Sequence, residues 1–154
     1  MSDFQVGDSS PDFSLPADDG STFTLSEQTG RWVVVYFYPK DNTPGCTTEA
    51  KDFRDMAAEL ESKGAMVVGI SPDSIKSHCN FRDKHELNFR LLSDKEHTAM
   101  EAYGAWGLKK LYGRTFMGVI RSTFLVAPDG KLAAMWPKVR VKGHAAVVLE
   151  AIGA

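Results

Sequence analysis

Cysteine is scarce in this chain: Cys46 and Cys79 are its only two among 154 residues. Two sulfurs cannot build a disulfide scaffold, and at this length a single hydrophobic core needs no such staple. A zinc site would need paired Cys/His ligands at short spacing. His78 and Cys79 are adjacent and His85 follows, but no second ligand pair exists, so no metal and no cofactor is implied. An excess of one charge is also missing, with a formal net charge of -2 and no basic cluster of the kind that holds nucleic-acid phosphates. No apolar run approaches the roughly 20 residues that cross a bilayer, so no membrane partner is expected. The opening stretch MSDFQVGDSSPDF lacks the charged-then-apolar layout of a secretory leader, and a cytoplasmic location is the expectation. Finally, C-x-x-C is absent, since Cys46 is followed by Thr47, Thr48 and Glu49. In a reducing compartment, two lone cysteines are core fillers or redox groups.

What is present reads as a single domain over 1–154 of α/β class. Alternating apolar residues around Ala17-Asp-Asp-Gly20 predict an N-terminal β-hairpin extension. The unbroken apolar, β-branched and aromatic run Arg31–Tyr38 predicts a strand buried on both faces. After the loop Pro39–Gly45, the spacing of Cys46, Ala50, Phe53, Met56, Ala57 and Leu60 predicts a helix that Gly64 ends. A second buried strand is predicted over Ala65–Ser71 and a helix over Asp73–His85, capped by Asp73 or Ser74. Phe89–Leu92 reads as a short strand, Lys95–Tyr103 as a helix, and Gly104–Val119 as an extended loop or hairpin. Strands at Ile120–Ala127 and Lys131–Pro137 flank the turn Pro128-Asp-Gly130, and Ala145–Ile152 reads as a terminal helix. Strands alternating with helices and closed by an antiparallel hairpin give a central mixed β-sheet flanked by helices. This order resembles the thioredoxin-like fold. Sites in such sheets form where a strand's carboxyl end meets the next helix, which is where Pro39–Cys46 falls.

The chemistry follows from that position. A sulfur at a helix start lies near unpaired backbone N–H groups and the positive end of the helix dipole, and both favour thiolate over thiol. The thiolate is the form that attacks an O–O bond. Thr43, three residues earlier, can bond the N–H of the first helical turn or turn its hydroxyl into the pocket. Pro39 and Pro44 stiffen the loop, and Gly45 permits close approach. A leaving oxygen needs charge stabilisation, for which an arginine is well suited. Arg121, opening an apolar strand, is the candidate. The four histidines, His78, His85, His97 and His144, sit among polar neighbours and read as surface residues.

The string Pro39-Lys-Asp-Asn-Thr43-Pro-Gly-Cys46 resembles the peroxiredoxin pattern P-x-x-x-T-x-x-C. The longer YPKDNTPGCTTEA, with GISPDSIKSH, LLSD, RSTFLVAPDGK and WPKVRVKGH, resembles the bacterioferritin comigratory protein, or peroxiredoxin Q, subfamily across nearly the whole chain. The resemblance implies a thiol peroxidase acting on hydrogen peroxide and organic hydroperoxides. It makes Cys46 the peroxidatic cysteine, Thr43 its hydroxyl partner, Pro39 the shielding proline, Arg121 the pocket arginine and Glu49 a support for the hydrogen-bond network. A thioredoxin or similar dithiol would be the reductant and the chain would be a monomer. The resolving cysteine is less regular. Subfamily members place it at the position of Lys51 or of Arg82, whereas Cys79 stands one turn before the latter. Cys79 is read as resolving Cys46 after partial helix unwinding. The alternatives are a core-packed Cys79 with an external thiol resolving a one-cysteine enzyme, and a non-catalytic thioredoxin-fold interaction or chaperone module.

Overall fold

The computed structural model describes residues 4–152. The N-terminal hairpin forms as expected from β1 (Ser14–Pro16) and β2 (Thr22–Thr24), antiparallel with Leu15 opposite Phe23, and is followed by a 3-10 turn at Leu25–Gln28. The apolar run becomes β3 (Trp32–Phe37), the middle strand of a five-stranded sheet in the order β5-β4-β3-β8-β9 among the described residues. β4 (Ala65–Ser71) and β5 (Arg90–Ser93) continue it in parallel, while β8 (Ser122–Val126) and β9 (Leu132–Trp136) continue it antiparallel. The two-residue period of β3 divides its side chains between two cores. Val33, Val35 and Phe37 face the β1–β2 side, and Val34, Tyr36 and Tyr38 face the helical side with Cys46, Phe53 and Phe81. A run buried on both faces therefore shows no polar alternation, which is the pattern the sequence carries.

The helix after β3 differs in detail from its expectation. Pro44 takes the first helical position, so α1 spans Pro44–Asp55, then breaks at Met56 before α2 (Ala57–Ser62). Gly64 follows with a φ of +73°, a left-handed conformation that suits the return into β4. α3 runs Ile75–His85, and Ser74 rather than Asp73 is its cap, accepting from the Ser77 backbone N–H at 3.1 Å. The helix predicted over Lys95–Tyr103 shrinks to α4 (Thr98–Ala102). Asp94 turns its carboxylate to the N–H groups of Thr98 and Met100, and His97 sits at a φ of +63°, so residues 95–97 form a turn instead. Residues 104–119 contain the hairpin β6 (Trp106–Leu111) and β7 (Arg114–Val119), closed by Tyr112-Gly113 with both φ angles positive. α5 (His144–Ala151) completes the helical side. No described helix is long and apolar enough to cross a membrane.

Candidate active site

The carboxyl end of β3 and the start of α1 bring the site together. Thr43 has extended backbone angles (φ -90°, ψ 154°) and Pro44 follows at the first helical position, which puts Cys46 in the opening turn of α1. Strand register supplies the arginine. Ser122 pairs with Phe37 in an antiparallel ladder, so Arg121 comes level with the end of β3, where the loop to α1 departs. Its carbonyl accepts from the Val139 N–H at 2.9 Å, which anchors the backbone from the other side.

Two of the sequence candidates converge on this guanidinium. Arg121 Nη2 lies 3.2 Å from Cys46 Sγ, and Nη1 donates to Glu49 Oε1 at 2.5 Å. Cys46 is only 1% exposed, so the cation acts on sulfur in a poorly hydrated setting where charge interactions are strong. Burial works against the Arg121 charge, but Glu49 and Cys46 more than offset it, and its pKa is raised above the usual value. Glu49 shows the opposite balance: burial pushes its carboxyl up to about 7 despite the attraction of Arg121. Its second oxygen, Oε2, is buried with no hydrogen-bond partner among the described residues. Gly45 has a definite steric role, since a Cβ there would lie 3.3 Å from Arg121 Nη2.

Thr43 makes no side-chain capping bond to the first turn of α1. Its hydroxyl donates to the Lys40 carbonyl at 2.8 Å and closes the loop on itself. Pro39 is half-buried at the strand end. Cys79 is in a separate environment in the second turn of α3. It is half-buried and unbonded to Cys46, and its thiol donates to the Asp18 carbonyl at 3.3 Å. Arg82 donates to the same carbonyl at 3.4 Å and to Asp18 Oδ2 at 3.1 Å. A cavity of about 430 Å³ lies elsewhere, lined by Arg31, Phe89 and Arg90 among others, and none of the six candidate residues borders it.

The expectation of surface histidines fails at two positions. His78 is 0% exposed: its Nδ1 is 2.7 Å from Asp41 Oδ2 and its Nε2 is 2.9 Å from the Leu92 carbonyl. His144 is buried with Nε2 2.8 Å from Thr123 Oγ1, and burial, then the Arg121 charge, lowers its pKa to about 4. The sequence held one signal for His78, which shares the face of α3 that carries Ile75 and Phe81 at helical spacing. Asp41, Asp73 and His78 place ligand-type atoms within 4.8 Å of one another, but these atoms are already engaged in hydrogen bonds within the protein.

Known proteins match this chain over most of its length. Residues 6–135 match the AhpC/TSA family model. Peroxiredoxin Bcp of Bacillus subtilis is 47% identical over 148 residues, covering 96% of this chain and 94% of the relative. Peroxiredoxin Bcp of Xanthomonas campestris is 44% identical over 143 residues, 93% and 89% of the two chains. A solved structure of the Xanthomonas campestris bacterioferritin comigratory protein, described for alkyl peroxide reduction, superposes with a TM-score of 0.90 at 41% identity, covering 96% of this chain and 97% of that one. A Xylella fastidiosa PrxQ variant gives 0.91 at 37% identity, over 97% and 96%. The chain belongs to the AhpC/TSA family, among its Bcp-type peroxiredoxins, and is a thiol peroxidase that takes a peroxide as substrate and a thiol as reductant.

Proposed function

We propose that Cys46 is the peroxidatic thiol and that Arg121, Glu49, Thr43 and Pro39 form its pocket. The observation that carries this reading is the Arg121 guanidinium at 3.2 Å from a sulfur in the first turn of α1. The Cys46 thiolate attacks one peroxide oxygen. The S–O bond forms as the O–O bond breaks, and the departing alkoxide or hydroxide takes a proton to become alcohol or water. Arg121 offers donors to the oxygen on which charge develops. Glu49 fixes the guanidinium, Thr43 closes the loop, and Pro39 limits water at its base. The Cys46 sulfenic acid then condenses with the Cys79 thiol, releasing water and forming a disulfide. A thioredoxin-type dithiol restores both thiols by exchange and is itself oxidised. A cycle that returns to two thiols suits the cytoplasm, and we read the chain as one domain working as a monomer.

The test is peroxide consumption with dithiothreitol as reductant. Cys46→Ser should abolish turnover while retaining the circular dichroism of the parent. Turnover at the parent rate would sink the assignment.

A further inference from the structure

The structure contains a buried polar node that the peroxide reaction does not use. Asp41 lies in the loop that carries Cys46, five residues before it. Its carboxylate accepts from the Tyr38 hydroxyl at 2.6 Å on Oδ1, and from Ser77 Oγ at 2.8 Å on Oδ2, where His78 Nδ1 also lies at 2.7 Å. The Asp41 N–H donates to Asp73 Oδ2 at 2.8 Å, and Ser71 Oγ donates to the same atom at 2.7 Å. His78 then reaches across to the Leu92 carbonyl on β5. Both ring nitrogens lie within hydrogen-bond distance of oxygen atoms. One node therefore joins the end of β3, the Cys46 loop, the first turn of α3 and β5. The residue after His78 is Cys79.

We propose that the Asp41–His78 pair is a positioning latch for disulfide formation, holding the Cys46 loop and the Cys79 helix in register until both move. The inference rests on the reading of Cys79 as the resolving thiol. Cys46 is almost fully buried beside Arg121 and Cys79 is turned toward the Asp18 carbonyl, so at least one of the two segments must shift before their sulfurs bond. If the loop left alone, His78 would be stranded with an unpaired buried ring nitrogen, and Tyr38 and Ser77 would each lose an acceptor. If α3 left alone, Asp41 would lose two of the three donors on its carboxylate. Joint departure keeps the Asp41 bonds to Ser77 and His78 and gives up only those to Tyr38 and the Leu92 carbonyl, and it frees the segment around Cys79 as the Cys46 loop opens. The peroxide step needs the folded loop and leaves the latch closed.

Stopped-flow tryptophan fluorescence of the full chain, mixed with hydrogen peroxide, separates the two steps, because sulfenic acid formation scales with peroxide and disulfide formation does not. Asp41→Asn keeps the shape but weakens the pair. It should speed the peroxide-independent phase about tenfold, keep the peroxide-dependent rate constant within about twofold, and lower the sulfinic acid yield at high peroxide. Tyr38→Phe removes one bond to Asp41 and should speed the same phase about threefold. If Asp41→Asn does not fold, Tyr38→Phe and Ser77→Ala carry the test. A resolving phase that is unchanged or slower in the folded variants overturns the latch, and shows that Cys46 swings out on its own five-residue tether. Intact mass of the wild type after one equivalent of peroxide decides the underlying reading independently. Loss of two hydrogens upholds Cys79 as the resolving thiol, whereas a lasting gain of one oxygen removes both that reading and the latch.

Discussion

The two cysteines are the same residue in different settings, and the proposed roles rest on that contrast. Cys46 opens α1, is almost fully buried, and has a guanidinium at 3.2 Å. Cys79 lies in the second turn of α3, is half-buried, and gives its thiol hydrogen to a neutral backbone carbonyl. One sulfur faces a cation, and the other faces a neutral acceptor. What separates them is the set of neighbouring groups, more than the degree of burial.

The sharpest way to break the comparison is to exchange the losses. Cys46→Ser should remove peroxide reduction completely. Cys79→Ser should leave the first peroxide-dependent turnover within about twofold of the parent, because in the proposed mechanism Cys79 takes no part in O–O cleavage. Next in size is Arg121→Gln, expected to slow that step by about 100- to 1000-fold, the scale of losing a donor to a developing oxyanion. Arg121→Lys should recover part of the rate, since it restores the charge without the planar fork that reaches Cys46 and Glu49 together. Single-turnover rates against peroxide concentration measure both.

Glu49→Gln tests whether the arginine needs its carboxylate, with an expected loss of about tenfold above neutral pH. The sign follows from the Glu49 carboxyl, which burial raises to about 7. As pH rises through that value the group ionises and grips Arg121, so the wild-type rate should climb across neutrality and the variant should lack that limb. The same shift acts on stability in the opposite direction. A pKa raised on folding favours the folded state fully below the unfolded value of 4.5, and that contribution is lost as pH rises through about 7. Urea midpoints of wild type and Glu49→Gln should therefore diverge over that window. Gly45→Ala should have the smallest effect, about threefold, by displacing Arg121 Nη2 by a few tenths of an ångström.

Much of the frame was legible because it depends on local pattern. β3 and β4 announce themselves as unbroken apolar runs, and Pro44 after Thr43 marks the start of α1. The site was legible to the extent that it lies in one loop: Thr43 and Cys46 share a helix start, while Arg121 stood out as a charge at the end of an apolar strand. Partners set by distant segments were not legible. His78 and His144 look polar in their local sequence, yet Asp41, the Leu92 carbonyl and Thr123 satisfy them inside the core. Nor does the sequence around Thr43 say that its hydroxyl turns back to Lys40 instead of toward the helix. The contraction of α4 follows from Asp94, whose carboxylate takes the Thr98 and Met100 N–H groups that a helix from Lys95 would give to backbone carbonyls one turn earlier.

The most direct measurement traps the oxidised sulfur. Treating Cys79→Ser with one equivalent of hydrogen peroxide in the presence of a cyclic 1,3-dione, then mapping the adduct by peptide mass, should place the label on Cys46 at near-stoichiometric yield. The matching experiment on Cys46→Ser should leave Cys79 unlabelled. A label on Cys79, or an unlabelled Cys46 in a protein that still consumes peroxide, would contradict the assignment of Cys46 as the attacking thiol.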